Sequence, residues 1–182
     1  MNIYDTCVYS TEKNLGMAYN QFLSLIPEGS HACLRDGDTM WLTPDYGFHL
    51  QEYVNRYPDA ILTCWTNRIH KSSGQLIPQE SPSDMKWHIE YAEKKKADLY
   101  KVTPLHTTVS WFCLVVPKSV WKDHKFSEVQ PYEDRKHLPN LLGVDNDFTN
   151  RVRAAGIPVL RMEGLYIWHT YRLLTNSNKH LI

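Results

Sequence analysis

The stretch His31-Ala32-Cys33-Leu34-Arg35-Asp36-Gly37-Asp38 joins a short apolar run to two carboxylates separated by a glycine. Residues 31–35 read as a buried strand. Thr39 to Asp45 then leads into a helix start, with the Thr43 hydroxyl as cap, Pro44 at the first helical position and Asp45 as an early acid. In α/β sheets, ligands collect beyond the C-terminal ends of strands. Paired hard oxygen donors at such a place suit Mg²⁺ or Mn²⁺, ions that often accompany phosphorylated substrates. Taken alone, Asp-Gly-Asp also reads as an ordinary turn, because acids and glycine favour turns. The same spacing recurs at Asp145-Asn146-Asp147, so context has to decide what each pair does.

Working outward, Cys7-Val8-Tyr9 reads as a short strand. Leu15, Ala18, Tyr19, Phe22, Leu23 and Ile26 follow helical spacing up to Pro27. Leu50, Tyr53, Val54 and Tyr57 form the apolar stripe of a helix stopped at Pro58, and Ala60 to Trp65 reads as the next buried strand. Residues 67–82 are loop. Ser83-Asp84 caps a helix through about Leu99, with Met85, Ile89 and Ala92 inward and Lys94-Lys95-Lys96 outward. Thr108 to Val116 is the clearest strand, and residues 123–140 form a long polar loop of the kind that often serves function. A helix from Asp145 to Ala155 ends at Gly156, followed by strands near 157–162 and 165–168 and a polar tail from about 173. This alternation predicts one α/β domain over residues 1–182, with a mixed, mostly parallel sheet and helices on both faces.

Composition narrows the function. The 182 residues hold 20 Lys plus Arg against 20 Asp plus Glu. That balance argues against a broad nucleic-acid or membrane-surface footprint. The four cysteines, Cys7, Cys33, Cys64 and Cys113, lie in or beside apolar runs without metal-binding spacing. They read as buried free thiols of a reducing compartment. Met1 to Asp5 lacks the basic and apolar regions of a signal peptide, and the apolar run Trp111 to Val116 is too short to span a bilayer. A cytoplasmic location is expected.

Other residues can complete the site. His169 closes the apolar run Leu165 to Trp168, and a strand-end imidazole can join carboxylates around an ion; a half-buried structural histidine is the alternative. Arg172 offers a planar donor fork for a diphosphate, or is a plain surface arginine. Asp145 is a helix N-cap, a general base, or both. Asp147 is the rival base, or a first-turn acid paired with Arg151. Asn14, Gly16 and Asn20 stand at a helix start, where phosphate is favoured, or at a simple loop–helix junction. Trp41, Trp65, Trp87, Trp111 and Tyr46 are sugar-stacking platforms or core residues.

Taken together, several segments resemble the GT-A glycosyltransferase superfamily, family 2 type. Asn14-Leu15-Gly16-Met17-Ala18-Tyr19-Asn20 is similar to that family's N-x-G-x-A-x-N helix start, and Ala32 to Thr39 to its strand and D-x-D turn. Thr108 to Val120 is similar to the strand before the acceptor loop, and Gly143 to Phe148 resembles the acceptor-base motif, with Val144 where glutamate is common. Trp168-His169-Thr170-Tyr171-Arg172 resembles the histidine segment that closes the metal site. The likeness covers roughly residues 5–172, in the right order. It implies a reduced N-terminus, starting after the family's usual opening strand–helix–strand unit, as in glycosyltransferase-like proteins of bacteriophages. It also implies a UDP- or GDP-linked sugar donor, a hydroxyl acceptor and inversion. Asp36, Asp38 and His169 then hold Mn²⁺ or Mg²⁺; Asn14, Gly16, Asn20, Asp36 and Arg172 contact the donor; Asp145, or else Asp147, is the base. A non-catalytic glycan- or protein-binding module and a sugar-nucleotide hydrolase are the competing expectations.

Overall fold

A computed structural model describes residues 1–69, 73–78, 82–136 and 143–170. The chain opens on β1 (Ile3–Thr6), crosses through α1 (Leu15–Leu25) to β2 (His31–Arg35), and turns at once into β3 (Thr39–Trp41). There follow α2 (Tyr46–Arg56), β4 (Ile61–Thr66), α3 (Met85–Lys95), β5 (Val102–Pro104) and β6 (Cys113–Pro117). The last elements are α4 (Lys118–Asp123), α5 (Val144–Ala154) and β7 (Val159–His169). The strands form one sheet in the order β1-β2-β6-β4-β7-β3, with β5 also on β7.

Helices cover both faces, as the alternation of elements implies. Neighbouring residues of a strand point to opposite sides. Leu34 and Leu114 therefore pack with Leu23 of α1, Trp121 of α4 and Phe148 of α5. Cys33, Leu62 and Val115 face the other way, onto Leu50, Tyr53 and Val54 of α2. The sheet is mixed but not mostly parallel. Only β1–β2 and β4–β7 run parallel, and the other four pairings are antiparallel. The reversal comes from β6, which inserts antiparallel between β2 and β4, and from the short β3 and β5 on the outer edge of β7.

Several local expectations shift. The first strand is Ile3–Thr6, not Cys7-Val8-Tyr9, and Cys7 is exposed while the other three thiols are buried. The Asp5 carboxylate on β1 meets Arg35 of β2 at 2.7 Å, which ties this edge strand down. Thr43 does not cap α2; its hydroxyl accepts from the Tyr166 N–H at 2.9 Å, and Asp45 takes the cap position in a left-handed conformation. In α3 the Asp84 carboxylate does cap, accepting from the Lys86 N–H. Its buried residues are His88 and Ala92, whereas Ile89 is exposed. Lys95 turns inward over the Trp65 ring, within 3.9 Å of Glu163.

Strand β6 begins only at Cys113 because the preceding segment is held by a side chain. The Gln75 amide accepts from the Ser110 N–H at 2.7 Å and donates to the Ser110 carbonyl at 2.8 Å, which takes the place of a neighbouring strand. The two expected terminal strands are one, β7. Its register against β4 jumps from Cys64–Met162 to Trp65–Tyr166, so residues 163–165 bulge. Leu99 packs so closely there that a Cβ on Gly164 would lie 2.5 Å from the Leu99 Cα. The bulge separates β5, paired at Leu160 to Met162, from β3, paired at Ile167 to His169.

Candidate metal centre

The site begins where β2 stops. The Asp36 N–H donates to the Phe112 carbonyl at 3.0 Å. The Asp36 carbonyl then accepts from both the N–H and the hydroxyl of Thr39, the latter at 2.7 Å. These bonds close the Asp-Gly-Asp turn and launch β3. Pairing of β3 with β7 sets Thr39 opposite His169, and the Thr170 N–H reaches the Asp38 carbonyl at 3.0 Å. A turn near the start of the chain is thereby zipped to the end of its last described strand.

The side chains converge as a result. His169 Nε2 lies 3.1 Å from Asp38 Oδ1 and 3.7 Å from Asp36 Oδ2. One ligand atom from each of Asp36, Asp38 and His169 falls within 4.8 Å of the others. Neighbouring ligands on a six-coordinate ion with bonds of about 2.1 Å lie about 3 Å apart, so the spacing suits one shared cation. His169 is 2 % exposed, whereas the Asp36 and Asp38 side chains are 42 % and 46 % exposed. The imidazole forms the floor and the two acids form an open rim.

Electrostatics favour the same use. Partial loss of solvent around the half-exposed Asp36 carboxyl raises its pKa, and the charges of Asp38 and then Asp145 add to it. Burial lowers the His169 pKa, against the opposing pull of Asp38 and a backbone hydrogen bond at Arg68. Crowded acids that repel each other and an imidazole held neutral are relieved by one bound cation. Mixed carboxylate and imidazole donors fit Mn²⁺ well and admit Mg²⁺.

Asn67 is a residue beside this cluster that the sequence did not reveal. Its Oδ1 accepts from the His169 N–H at 2.7 Å and its Nδ2 donates to the His169 carbonyl at 3.2 Å. This two-pronged grip, with the Phe112 ring 5.6 Å from the imidazole centroid, fixes the ring's place. An asparagine in a polar loop reads as a turn residue, and nothing nearby in sequence signals its partner.

The second pair of acids divides its labour. Gly143 takes the N-cap position of α5 at φ +90°, so Asp145 sits inside the first turn rather than capping it. Asp145 accepts from the Asn146 N–H at 2.8 Å, and its charge reaches both Asp36 and the buried Tyr19 hydroxyl. Asp147 is engaged elsewhere, accepting from the Ser127 hydroxyl at 2.6 Å and from Arg151 at 2.9 Å.

Asn14, Gly16 and Asn20 line up along α1 but serve the segment 126–128. The Asn14 Oδ1 caps the helix through the Met17 N–H, and its Nδ2 donates to the Glu128 carbonyl. A Cβ on Gly16 would stand 2.0 Å from the Ser127 oxygen. Asn20 donates to the Phe126 carbonyl and the Glu128 carboxylate, and accepts from Trp121 and the Phe126 N–H. All four of its hydrogen-bonding positions are filled within the fold. Of the aromatic candidates, Trp111 is core, and Trp65 lies under Arg161 with its ring 3.5 Å from the guanidinium. Trp87 stacks on Tyr91, and Trp41 on Tyr46. Arg172 falls outside the described residues.

No protein-family model matches this chain, and no curated protein matches it either. Among the described residues, no helix is long and apolar enough to cross a membrane.

Proposed function

We propose that this chain is a divalent-cation-dependent glycosyltransferase that moves a sugar from a UDP- or GDP-linked donor to a hydroxyl, with inversion. The observation that carries the reading is the convergence of Asp36, Asp38 and His169 within 4.8 Å. The three ligands would hold Mn²⁺ or Mg²⁺, which when bound neutralises the leaving diphosphate. Asp36, at the rim, would also contact the donor's sugar or ribose. Asp145 serves as general base: the acceptor oxygen forms its bond to the anomeric carbon, the acceptor proton moves to the Asp145 carboxylate, and the carbon–oxygen bond to the diphosphate breaks with its electron pair on the leaving group. One base and one leaving group give a single displacement. Asn14, Gly16 and Asn20 act by fixing the 126–128 segment beside α1, and Arg172 would assist at the diphosphate.

The test compares Asp38→Asn with Asp145→Asn, using calorimetry with Mn²⁺ and UDP- and GDP-sugars, and analysis of products. Asp38→Asn should weaken Mn²⁺-linked donor binding. Asp145→Asn should keep that binding and lose transfer by a factor of about 10² to 10⁴, the usual worth of a general base. Full transfer in both variants, or no metal-linked donor binding in the parent protein, would overturn the proposal. Free sugar released to water in place of a glycoside would reassign the site to hydrolysis.

A further inference from the structure

Thr39 lies at the junction of every part of the candidate metal centre. It follows Asp38 directly, its backbone pairs with His169 across the β3–β7 ladder, and its hydroxyl donates to the Asp36 carbonyl at 2.7 Å. The two acids and the imidazole thus meet through one residue of a short strand. The same hydroxyl also accepts: Arg35 Nη1 reaches it at 3.3 Å, while Arg35 Nε donates to Asp5 Oδ1 at 2.7 Å. A hydroxyl has one proton and a guanidinium only donates, so the Thr39 proton goes to the Asp36 carbonyl. The relay therefore has a fixed direction, from Arg35 through Thr39 to Asp36.

The relay is anchored outside the turn. Asp5 belongs to β1, whose register sets it beside Cys33, two residues before Arg35. The Arg35 and Asp5 side chains are 18 % and 29 % exposed, so water screens this pair less than it would a fully exposed one. The planar fork of arginine lets Nε and Nη1 serve two acceptors at a fixed angle. Strand formation alone asks for none of this. Valine has the shape and the strand preference of threonine, and only the hydroxyl makes these bonds. The Thr39 N–H reaches the Asp36 carbonyl at 3.3 Å, and the Cys7 thiol, a weak donor, at 3.8 Å, which leaves the hydroxyl as its closest donor.

We propose that the Thr39 hydroxyl, held by the Asp5–Arg35 pair, is a positioning group of the metal centre that sets the Asp36 and Asp38 carboxylates against the His169 imidazole. This rests on the reading of Asp36, Asp38 and His169 as ligands of one divalent cation. Thr39 and Arg35 act through the turn and are not themselves ligands. Loss of the hydroxyl takes a donor from the Asp36 carbonyl and an acceptor from Arg35 Nη1 at once. The turn then keeps its backbone pairing to β7 but loses the side-chain bond that fixes Asp36 relative to it.

The test is Mn²⁺ binding to the full chain, read by electron paramagnetic resonance of the free ion, beside melting temperatures in EDTA. Thr39→Val should weaken Mn²⁺ binding about tenfold, the low end for groups that orient metal ligands. Thr39→Ser restores the hydroxyl and should stay within about twofold of the parent, with Arg35→Lys, which keeps the charge but not the fork, between the two. A role confined to strand stability would lower the metal-free melting temperature of Thr39→Val and leave the affinity of the folded protein unchanged. That result, equal weakening by valine and serine, or parental affinity in Arg35→Lys would overturn the inference. Should Thr39→Val not fold, Arg35→Lys carries the test alone. A parent protein that binds no Mn²⁺ removes the metal centre and this inference with it, whereas parental binding that the variants leave intact removes the inference only.

Discussion

At His169 the ring's position is decided by its own backbone rather than by its side chain. The Asn67 amide satisfies both the N–H and the carbonyl of that residue, and Asn67 is itself buried. Removing the amide leaves two buried backbone groups unmet and loosens the strand end that carries the imidazole. Asn67→Ala should therefore lower Mn²⁺ affinity by about 10- to 100-fold, as loss of groups that orient metal ligands generally does. Electron paramagnetic resonance of free Mn²⁺ measures this directly, and an unchanged affinity would show that Asn67 only stabilises the strand. The grouping of Asp36, Asp38 and His169 was legible in the sequence because carboxylates and an imidazole at strand ends stand out by type and place. Asn67 was not, because its role depends on a strand a hundred residues away (|i−j| = 102). The preference for Asp145 over Asp147 was legible in the sequence, as was the pairing of Asp147 with Arg151, but the bond from the Ser127 hydroxyl that further occupies Asp147 could not be read there.

Among the elements, α3 shows how a helix can be docked by polar contacts. His88 is buried in its inner face, with Nε2 at 2.8 Å from the Pro82 carbonyl and Nδ1 at 2.7 Å from the Tyr166 hydroxyl. A carbonyl only accepts, so Nε2 carries a proton, and in the neutral imidazole Nδ1 then accepts from the Tyr166 hydroxyl. Burial accordingly holds its pKa below 6.5, outweighing the Pro82 bond. The folded protein then binds fewer protons here than the unfolded chain, so stability is complete above about pH 6.5 and is lost as pH falls toward the lowered folded value. His88→Gln, which titrates nowhere in this range, should flatten the fall in melting temperature between about pH 7.5 and about pH 5.5; parallel curves for the two proteins would remove His88 from the account. The helical periods of α1, α2 and α5 could be read from apolar spacing alone, because each buries one stripe on the sheet. The inward face of α3 could not: its Ile89 points to solvent while a histidine goes in. Three-residue β3 and β5 are too short to carry a period, and the Gln75 grip on Ser110 mimics a strand that the sequence places there outright.

Over the whole molecule, the α/β alternation and two-faced helix packing were readable, but strand direction was not, because β6 enters antiparallel between two parallel pairs through contacts set only by the assembled sheet. That topology has a consequence for stability. The acids come from the β2–β3 turn and the imidazole from the end of β7, and the β3–β7 ladder that joins them has only three residue pairs. A cation held by all three ligands clamps this short ladder shut and binds the unfolded chain poorly, so it must raise the unfolding free energy. At a free Mn²⁺ concentration a hundredfold above Kd the gain is about 2.7 kcal/mol, which for a chain of this length corresponds to a rise of roughly 5–10 °C in melting temperature. Differential scanning calorimetry with and without Mn²⁺ reads it. Asp38→Asn and His169→Ala should each abolish most of the rise, while both keep the fold in the absence of metal. If His169→Ala kept the full shift, the ion would be held by the local acid pair alone, and the link between the two ends of the chain would play no part in binding it.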